Sequence, residues 1–170
     1  MKKIIKLLVA STFMVSSLTS LADTNIKADV VYGHKDGMAL VYDVITPDNA
    51  NGAAVVFMVS GGWYSRWSPP ESRVEQFSHF LDAGFTLIPV HHGSAPRYHV
   101  PDAYADVSRA IRHIKMHAVQ HGIDPDRIGV TGGSAGGHLS LMLGLDSDQG
   151  DPNAREEVMR QSNDVAAIVA

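Results

Sequence analysis

Ser134 is the centre of a Gly132-x-Ser134-x-Gly136 pattern within Gly129-Val130-Thr131-Gly132-Gly133-Ser134-Ala135-Gly136-Gly137-His138. The run before it, Arg127 to Thr131, reads as a strand, and Ser134 to Leu145 reads as a helix. A serine at such a junction can act as a nucleophile. The strained strand-to-helix turn lifts its hydroxyl above the sheet edge, and flanking glycines leave room for the crowded backbone. The helix that follows turns its positive end and free N–H groups to the same spot. The N–H of Ala135 would donate to the oxyanion of a tetrahedral intermediate, so the chemistry to expect is acyl transfer through Ser134. Two blander readings compete. A Gly-rich turn can simply pack a helix on a strand. A phosphate-binding loop fits less well, because the Walker lysine is missing and Ser134 stands where a dinucleotide fingerprint needs glycine.

Other residues could touch a ligand. Trp63, Tyr64 and Trp67, with Arg66, cluster in one loop, where aromatic rings could stack on a sugar or aryl group or merely pack the loop. His91 and His92 end a strand near the same sheet edge, where a local structural role is expected. His113, His117 and His121 lie four apart on one helix, a spacing metal ligands can use. They are expected to form a polar outer face, and no metal is expected.

Short apolar runs and helical patterns alternate around these residues. Asp29–His34 and Ala39–Thr46 read as a hairpin joined through His34-Lys35-Asp36-Gly37. Ala53–Val59 reads as a strand buried on both faces. A helix follows, with Ser68 as cap, Pro69 at its first position and Glu71 completing a capping box. Its apolar face is Val74, Phe77 and Leu81, and Gly84 ends it. Phe85–Val90 is the next strand. A helix from about Pro101 to His121 carries the stripe Ala103, Val107, Ala110, Ile111, Ile114 and Ala118, and Gly122 stops it. The Ser134–Leu145 helix is apolar on most sides and is expected to be buried. The polar stretch Asp146–Asn163 is expected to be a surface loop with one helical turn near Ala154–Arg160, and Val165–Ala170 starts another strand. This order predicts an α/β fold with a mostly parallel sheet and an N-terminal antiparallel hairpin.

The chain of 170 residues is 45% hydrophobic, 19% charged and free of cysteine. That excludes a disulfide scaffold, a thiolate zinc site, an iron–sulfur cluster and a cysteine nucleophile. Lys2, Lys3 and Lys6 precede an apolar stretch from Leu7 to about Leu18, and Ser20-Leu21-Ala22 supplies the small residues that a signal peptidase reads. Residues 1–22 are therefore expected to be a secretory signal peptide cleaved before Asp23, giving a periplasmic or extracellular protein without stable membrane association. Cleavage leaves 148 residues and takes away three lysines and no acid, so the formal charge moves from −4 to −7. So acidic a chain is a poor candidate for nucleic acid or anionic lipid.

Three more segments accompany the elbow. Val59-Ser60-Gly61-Gly62-Trp63 follows a strand; Ser94-Ala95-Pro96 is followed by Pro101 and Asp106; Asp124-Pro125-Asp126-Arg127-Ile128 leads into the serine's strand. With them, the chain from about Ala53 onward resembles the α/β-hydrolases, in the esterase/lipase-like branch that includes carbohydrate-ester and feruloyl-esterase-like enzymes. The resemblance implies that the Val59–Trp63 segment is an HGGGW-like oxyanion loop, its Gly61 and Gly62 N–H groups joining that of Ala135. The Ser94–Asp106 segment resembles the family's "LAP…P…D" pattern. Val59 stands in place of the oxyanion loop's histidine and Ser60 in place of its first glycine, which bears on the rigidity of the loop. His138 resembles a residue common after the serine motif, with a structural role.

A serine nucleophile needs a base and a group to orient it, and in this fold they follow in the order Ser, acid, His. After Ser134 the only histidine is His138, and Asp146, Asp148, Asp151 and Asp164 all precede the last strand. The resemblance therefore implies that acid and base lie outside the chain. Residues 23–170 are expected to be the N-terminal part of an α/β-hydrolase domain, its C-terminal part missing and its activity low alone. The expected function is hydrolysis of small-molecule carboxylic esters through a Ser134 acyl-enzyme, with no cofactor. A prolyl-oligopeptidase-like serine peptidase fragment and a non-catalytic binding protein of the same fold are the alternatives.

Overall fold

Asp36 and Gly37 both have positive φ (48° and 81°), as a two-residue type I′ hairpin connection requires. Around them β1 (Thr24–Lys35) and β2 (Met38–Pro47) pair antiparallel from Lys35↔Met38 out to Thr24↔Pro47. The computed structural model describes residues 24–170, so the expected signal peptide and its cleavage point lie outside the described residues. The hairpin is longer than its apolar pattern suggests. It absorbs an irregularity near Asp29, whose φ is 52° and whose N–H donates to Asp43 Oδ1 at 2.9 Å.

β3 (Ala54–Met58), β4 (Thr86–Val90), β5 (Ile128–Thr131) and β6 (Ala167–Val169) complete one sheet in the order β1-β2-β4-β3-β5-β6. β2 meets β4 antiparallel, and β4, β3, β5 and β6 run parallel. The mostly parallel sheet with an N-terminal hairpin is as expected. β4 is buried along its whole length, which is why it reads as an unbroken apolar run.

The first helix departs from expectation. In place of one helix capped by Ser68, the chain forms α1 (Glu71–Gln76) and α2 (Ser78–Asp82), broken at Phe77 with φ −116°. Two successive prolines are the reason: each disfavours helical backbone in the residue before it, so helical conformation begins only at Pro70. Ser68 caps nothing, and its Oγ is buried without a partner among the described residues. The break lets both Phe77 and Leu81 enter the core, Phe77 packing on Phe57 at 4.7 Å between ring centroids.

The expected stripe is buried throughout, but α3 (Val100–Met116) ends before Ala118 and His121. A 3-10 turn over Val119–His121 carries the chain to Gly122, whose φ of 66° closes the segment. α4 (Ala135–Leu145) buries Leu139 and Leu143 but leaves Leu141 and Leu145 exposed, so it is covered on one side rather than on most.

The Asp146–Asn163 stretch is a largely exposed loop with one helical turn, as expected, and it is also tied down. Buried Arg112 pairs with Asp148 at 2.6 Å, and Asn163 receives the Asp148 N–H at 2.7 Å while donating to Ser108 Oγ at 2.7 Å. Val158, in the 3-10 turn Glu157–Arg160, is buried as well. Among the described residues, no helix is long and apolar enough to cross a membrane.

Candidate active site

Parallel strands in register deliver their following loops to one edge of the sheet. Here the three loops after β3, β4 and β5 hold Gly61–Tyr64, His91–Tyr98 and Gly132–Ser134.

Ser134 occupies the N-cap position of α4 with φ 54° and ψ −116°. A non-glycine residue held there costs on the order of 1–3 kcal/mol and persists only when its surroundings impose it. The glycines impose it. A Cβ on Gly132 would lie 2.6 Å from the Gly136 carbonyl carbon, and a Cβ on Gly136 would lie 2.6 Å from the Met58 carbonyl oxygen. Elbow and β3 loop are thus in backbone contact. The Gly136 N–H donates to the carbonyls of Gly133 at 2.9 Å and Ser60 at 3.2 Å. Ser134 is exposed, and its hydroxyl makes no cap bond to the helix. The first turn of α4 carries no acidic side chain to oppose a negative charge at its N-terminus.

Gly61 and Tyr64 exchange backbone hydrogen bonds of 3.1 Å, with Gly62 (φ 58°) and Trp63 (φ 62°) at the tip between them. The Gly61 N–H is therefore engaged by the Tyr64 carbonyl, whereas the Gly62 N–H has no acceptor among the described residues. The Trp63 ring meets His138 edge-on at 6.0 Å, which ties the loop tip to α4. Tyr64 is exposed beside it. Gly61 and Gly133 line one cleft of about 400 Å³ together with Ser60, Tyr64, Arg66 and Arg73.

Behind these loops, His91 Nδ1 lies 3.2 Å from Ser65 Oγ, and His92 donates from Nδ1 to the Gly93 carbonyl at 2.8 Å. Burial pushes the His91 pKa down to about 4, and the nearby Arg73 and His92 act in the same direction. Asp106 is buried, accepts the Gly93 N–H at 2.9 Å and pairs with Lys35 at 2.6 Å. It thereby anchors the loop that runs from β4 into α3. Ser65 carries no pattern that distinguishes it in the sequence, and Ser94 opens the Ser94–Asp106 pattern without showing its partner; only their meeting across 29 residues joins the two loops.

The helical histidines do not form an outer polar face. His121 is buried and His113 half-buried, and both reach the Tyr42 hydroxyl, at 2.9 Å from His121 Nε2 and 3.0 Å from His113 Nδ1. The chain leaves the α3 axis before His121 and folds it inward, which a uniform helix would not do. Burial lowers the pKa of each to about 4, with His117 adding to the effect. Among the described residues, no group of three or more His, Asp or Glu side chains is arranged to hold a metal ion.

Residues 42–170 match the BD-FAE family. The chain belongs to that family. Among curated relatives of this BD-FAE chain is the probable carboxylic ester hydrolase LipM of Mycobacterium tuberculosis, 37% identical over 55% of this chain and 22% of its own length. The esterase LipQ of the same organism is 32% identical over 71% of this chain and 29% of its own length. The chain thus spans less than a third of these relatives. Among solved structures, the butyrate-bound esterase Est2 of Thermogutta terrifontis superposes with a TM-score of 0.64 at 28% identity, covering 86% of this chain and 51% of that one. An acetyl ester-xyloside bifunctional hydrolase from Caldicellulosiruptor lactoaceticus shares the fold, with a TM-score of 0.67 at 22% identity over 88% of this chain and 56% of that one. The described residues have the fold of the N-terminal region of an esterase-type α/β-hydrolase.

Proposed function

We propose that this BD-FAE chain is the nucleophile-bearing part of a serine carboxylic-ester hydrolase acting on small-molecule esters outside the cytoplasm. The observation that carries the reading is the backbone of Ser134, held at positive φ between two glycines that admit no side chain. In the proposed reaction Ser134 Oγ attacks the ester carbonyl carbon and a base takes its proton. The oxyanion of the tetrahedral intermediate accepts from the Ala135 and Gly62 N–H groups. Gly61, engaged with Tyr64, shapes the loop more than it donates. The C–O bond to the alcohol breaks as the base returns the proton. Water then hydrolyses the acyl-enzyme by the same steps. Tyr64 lines the cleft and offers a ring to a sugar or aryl group, while Trp63 packs against His138 beside it. Base and acid are assigned to the part of the fold that Est2 includes and this chain does not span. Residues 1–22 direct export; fused to a periplasmic reporter they should secrete it and be removed before Asp23, and a product that keeps Met1 counts against this.

Aryl-ester turnover tests the reading. Residues 23–170 alone should act barely above background, because a serine hydrolase without its base loses about a millionfold in turnover. Continued with the C-terminal region of a full-length relative, the chain should turn over ester, and Ser134→Ala should abolish that without unfolding the protein. Turnover that survives Ser134→Ala sinks the nucleophile assignment. Robust Ser134-dependent turnover by the short chain would place the base within it, with His91 and His92 the first to test by substitution.

A further inference from the structure

Within itself the proposed oxyanion loop is held by the Gly61–Tyr64 backbone pair, and its tip is strained. Gly62 and Trp63 are both at positive φ, a conformation a tryptophan keeps only under constraint. Ser60 Oγ and Trp63 Nε1 are buried with no hydrogen-bond partner among the described residues. At the root of the loop Val59 offers only an apolar side chain.

Beside its contacts with α4, the loop is gripped from the neighbouring loop, after β4. The Ser65 N–H donates to Ser94 Oγ at 2.9 Å, and the Ala95 N–H donates to the Trp63 carbonyl at 3.0 Å. Ser65 Oγ accepts the His92 N–H at 3.2 Å, which leaves its own hydrogen free for His91 Nδ1, 3.2 Å away. His91 is neutral near pH 7, so Nδ1 is available as the acceptor. The β4 loop is itself anchored. Asp106 holds the Gly93 N–H and the Lys35 ammonium, and the Tyr32 hydroxyl donates to the His91 carbonyl at 2.5 Å. A Cβ on Gly93 would lie 2.5 Å from the Tyr98 ring, so that turn is closely packed too.

We propose that Ser65 is a positioning residue: clasped by His91, His92 and Ser94, it fixes the Gly61–Tyr64 loop, and with it the Gly62 amide, beside the Ser134 elbow. The clasp lies next to the position where the HGGGW-like pattern has a histidine and this chain has Val59. The inference rests on the oxyanion role proposed above for Gly62. Ser65 itself touches no reacting atom.

Two measurements separate the clasp from the oxyanion role. In hydrogen exchange of the 59–68 segment, Ser65→Ala should lower protection of the loop amides about five- to thirtyfold, the effect of losing one or two hydrogen bonds, with β3 unchanged. Ser65→Thr, which keeps the hydroxyl, should restore protection. If Ser65→Ala does not fold, Ser94→Ala removes a single bond of the clasp from the other side and should act on the same amides. In the second measurement, on the chain continued with the C-terminal region of a full-length relative so that a base is present, an aryl fluorophosphonate, whose phosphoryl oxygen takes the oxyanion position, modifies Ser134 with loss of fluoride and mass spectrometry reads the rate. Ser65→Ala should lower the maximal rate about tenfold and leave the half-saturating concentration unchanged. Equal loop protection in the wild type and Ser65→Ala overturns the clasp, whatever the reagent does. Lost protection with an unchanged modification rate overturns the positioning role. A wild type that resists the reagent while its loop responds as expected counts against the oxyanion reading and supports the clasp.

Discussion

The two faces of the sheet are covered unequally. On one, α3 and α4 seal a continuous core from Tyr32 and Tyr42 on the hairpin to Val130 on β5 and Leu143 on α4. On the other, α1 and α2 cover Ile45, Val55 and Leu87, on β2, β3 and β4, and reach no further. Beyond them, over β3, β5 and β6, an apolar cavity of about 400 Å³ opens between Phe80, Phe85, Thr131, Ala167 and Val169. All of β4 is buried, whereas all of β6 is exposed. The elbow hangs from β5, where this coverage changes. What holds Ser134 in its strained conformation is therefore the covered face: α4, Met58 and the crossing of Gly132 with Gly136.

The sharpest way to break that account is to add one carbon at the crossing. Gly136→Ala would push a methyl into the Met58 carbonyl at 2.6 Å, with backbone on both sides and nowhere to relax. It should cost more than about 3 kcal/mol or prevent folding, read by urea denaturation. Gly133→Ala, at a position with nothing within 4 Å and no positive φ, should change stability by less than about 0.5 kcal/mol. Equal effects would mean that the elbow is not held by contact with β3.

The faces themselves can be compared by truncation. Ile111→Ala, on the fully buried face of α3, should cost about 2–5 kcal/mol, while Phe85→Ala beside the open cavity should cost under about 2 kcal/mol despite losing more atoms. A larger loss at Phe85 would show the second face to be as tightly packed as the first.

A smaller effect comes from the polar pin within the covered face. Tyr42→Phe leaves His113 and His121 without their shared hydroxyl and should cost about 1–3 kcal/mol. These two histidines, with His91, make the fold acid-sensitive. His91, His113 and His121 are each lowered from 6.5 to about 4, chiefly by burial, with Arg73 facing the first, Arg109 the second and Lys27 the third. The unfolded chain binds protons that the folded chain refuses between these values. Stability should thus be complete above about pH 6.5 and fall as the pH drops toward 4. A flat unfolding midpoint across that window would contradict the buried, neutral state. The smallest effect belongs to the exposed edge strand: Val169→Thr should move stability by no more than about 0.5 kcal/mol.

The strands and the elbow are legible in the sequence because both are local. An unbroken apolar run such as Thr86–Val90 can satisfy its backbone only inside a sheet, and Asp36-Gly37 can close only a tight hairpin. Glycines two residues either side of a serine between strand and helix admit few other backbones, and Ser134 is found at the helix cap with positive φ. In the 71–82 region a capping pattern and two adjacent prolines point to different helix starts, and the prolines prevail. At His121 the apolar periodicity misleads, because it assumes that the helix continues. Residue order alone thus determined the α/β alternation, the hairpin and the candidate nucleophile, since each follows from constraints within a few residues of chain. Only the tertiary structure decided that the Gly61 amide is engaged while Gly62's is open, that Ser65 meets Ser94 and His91, and that Tyr42 pins two histidines. Those pairings join residues up to 79 apart, and nothing short of the folded backbone brings such donors and acceptors within hydrogen-bond reach.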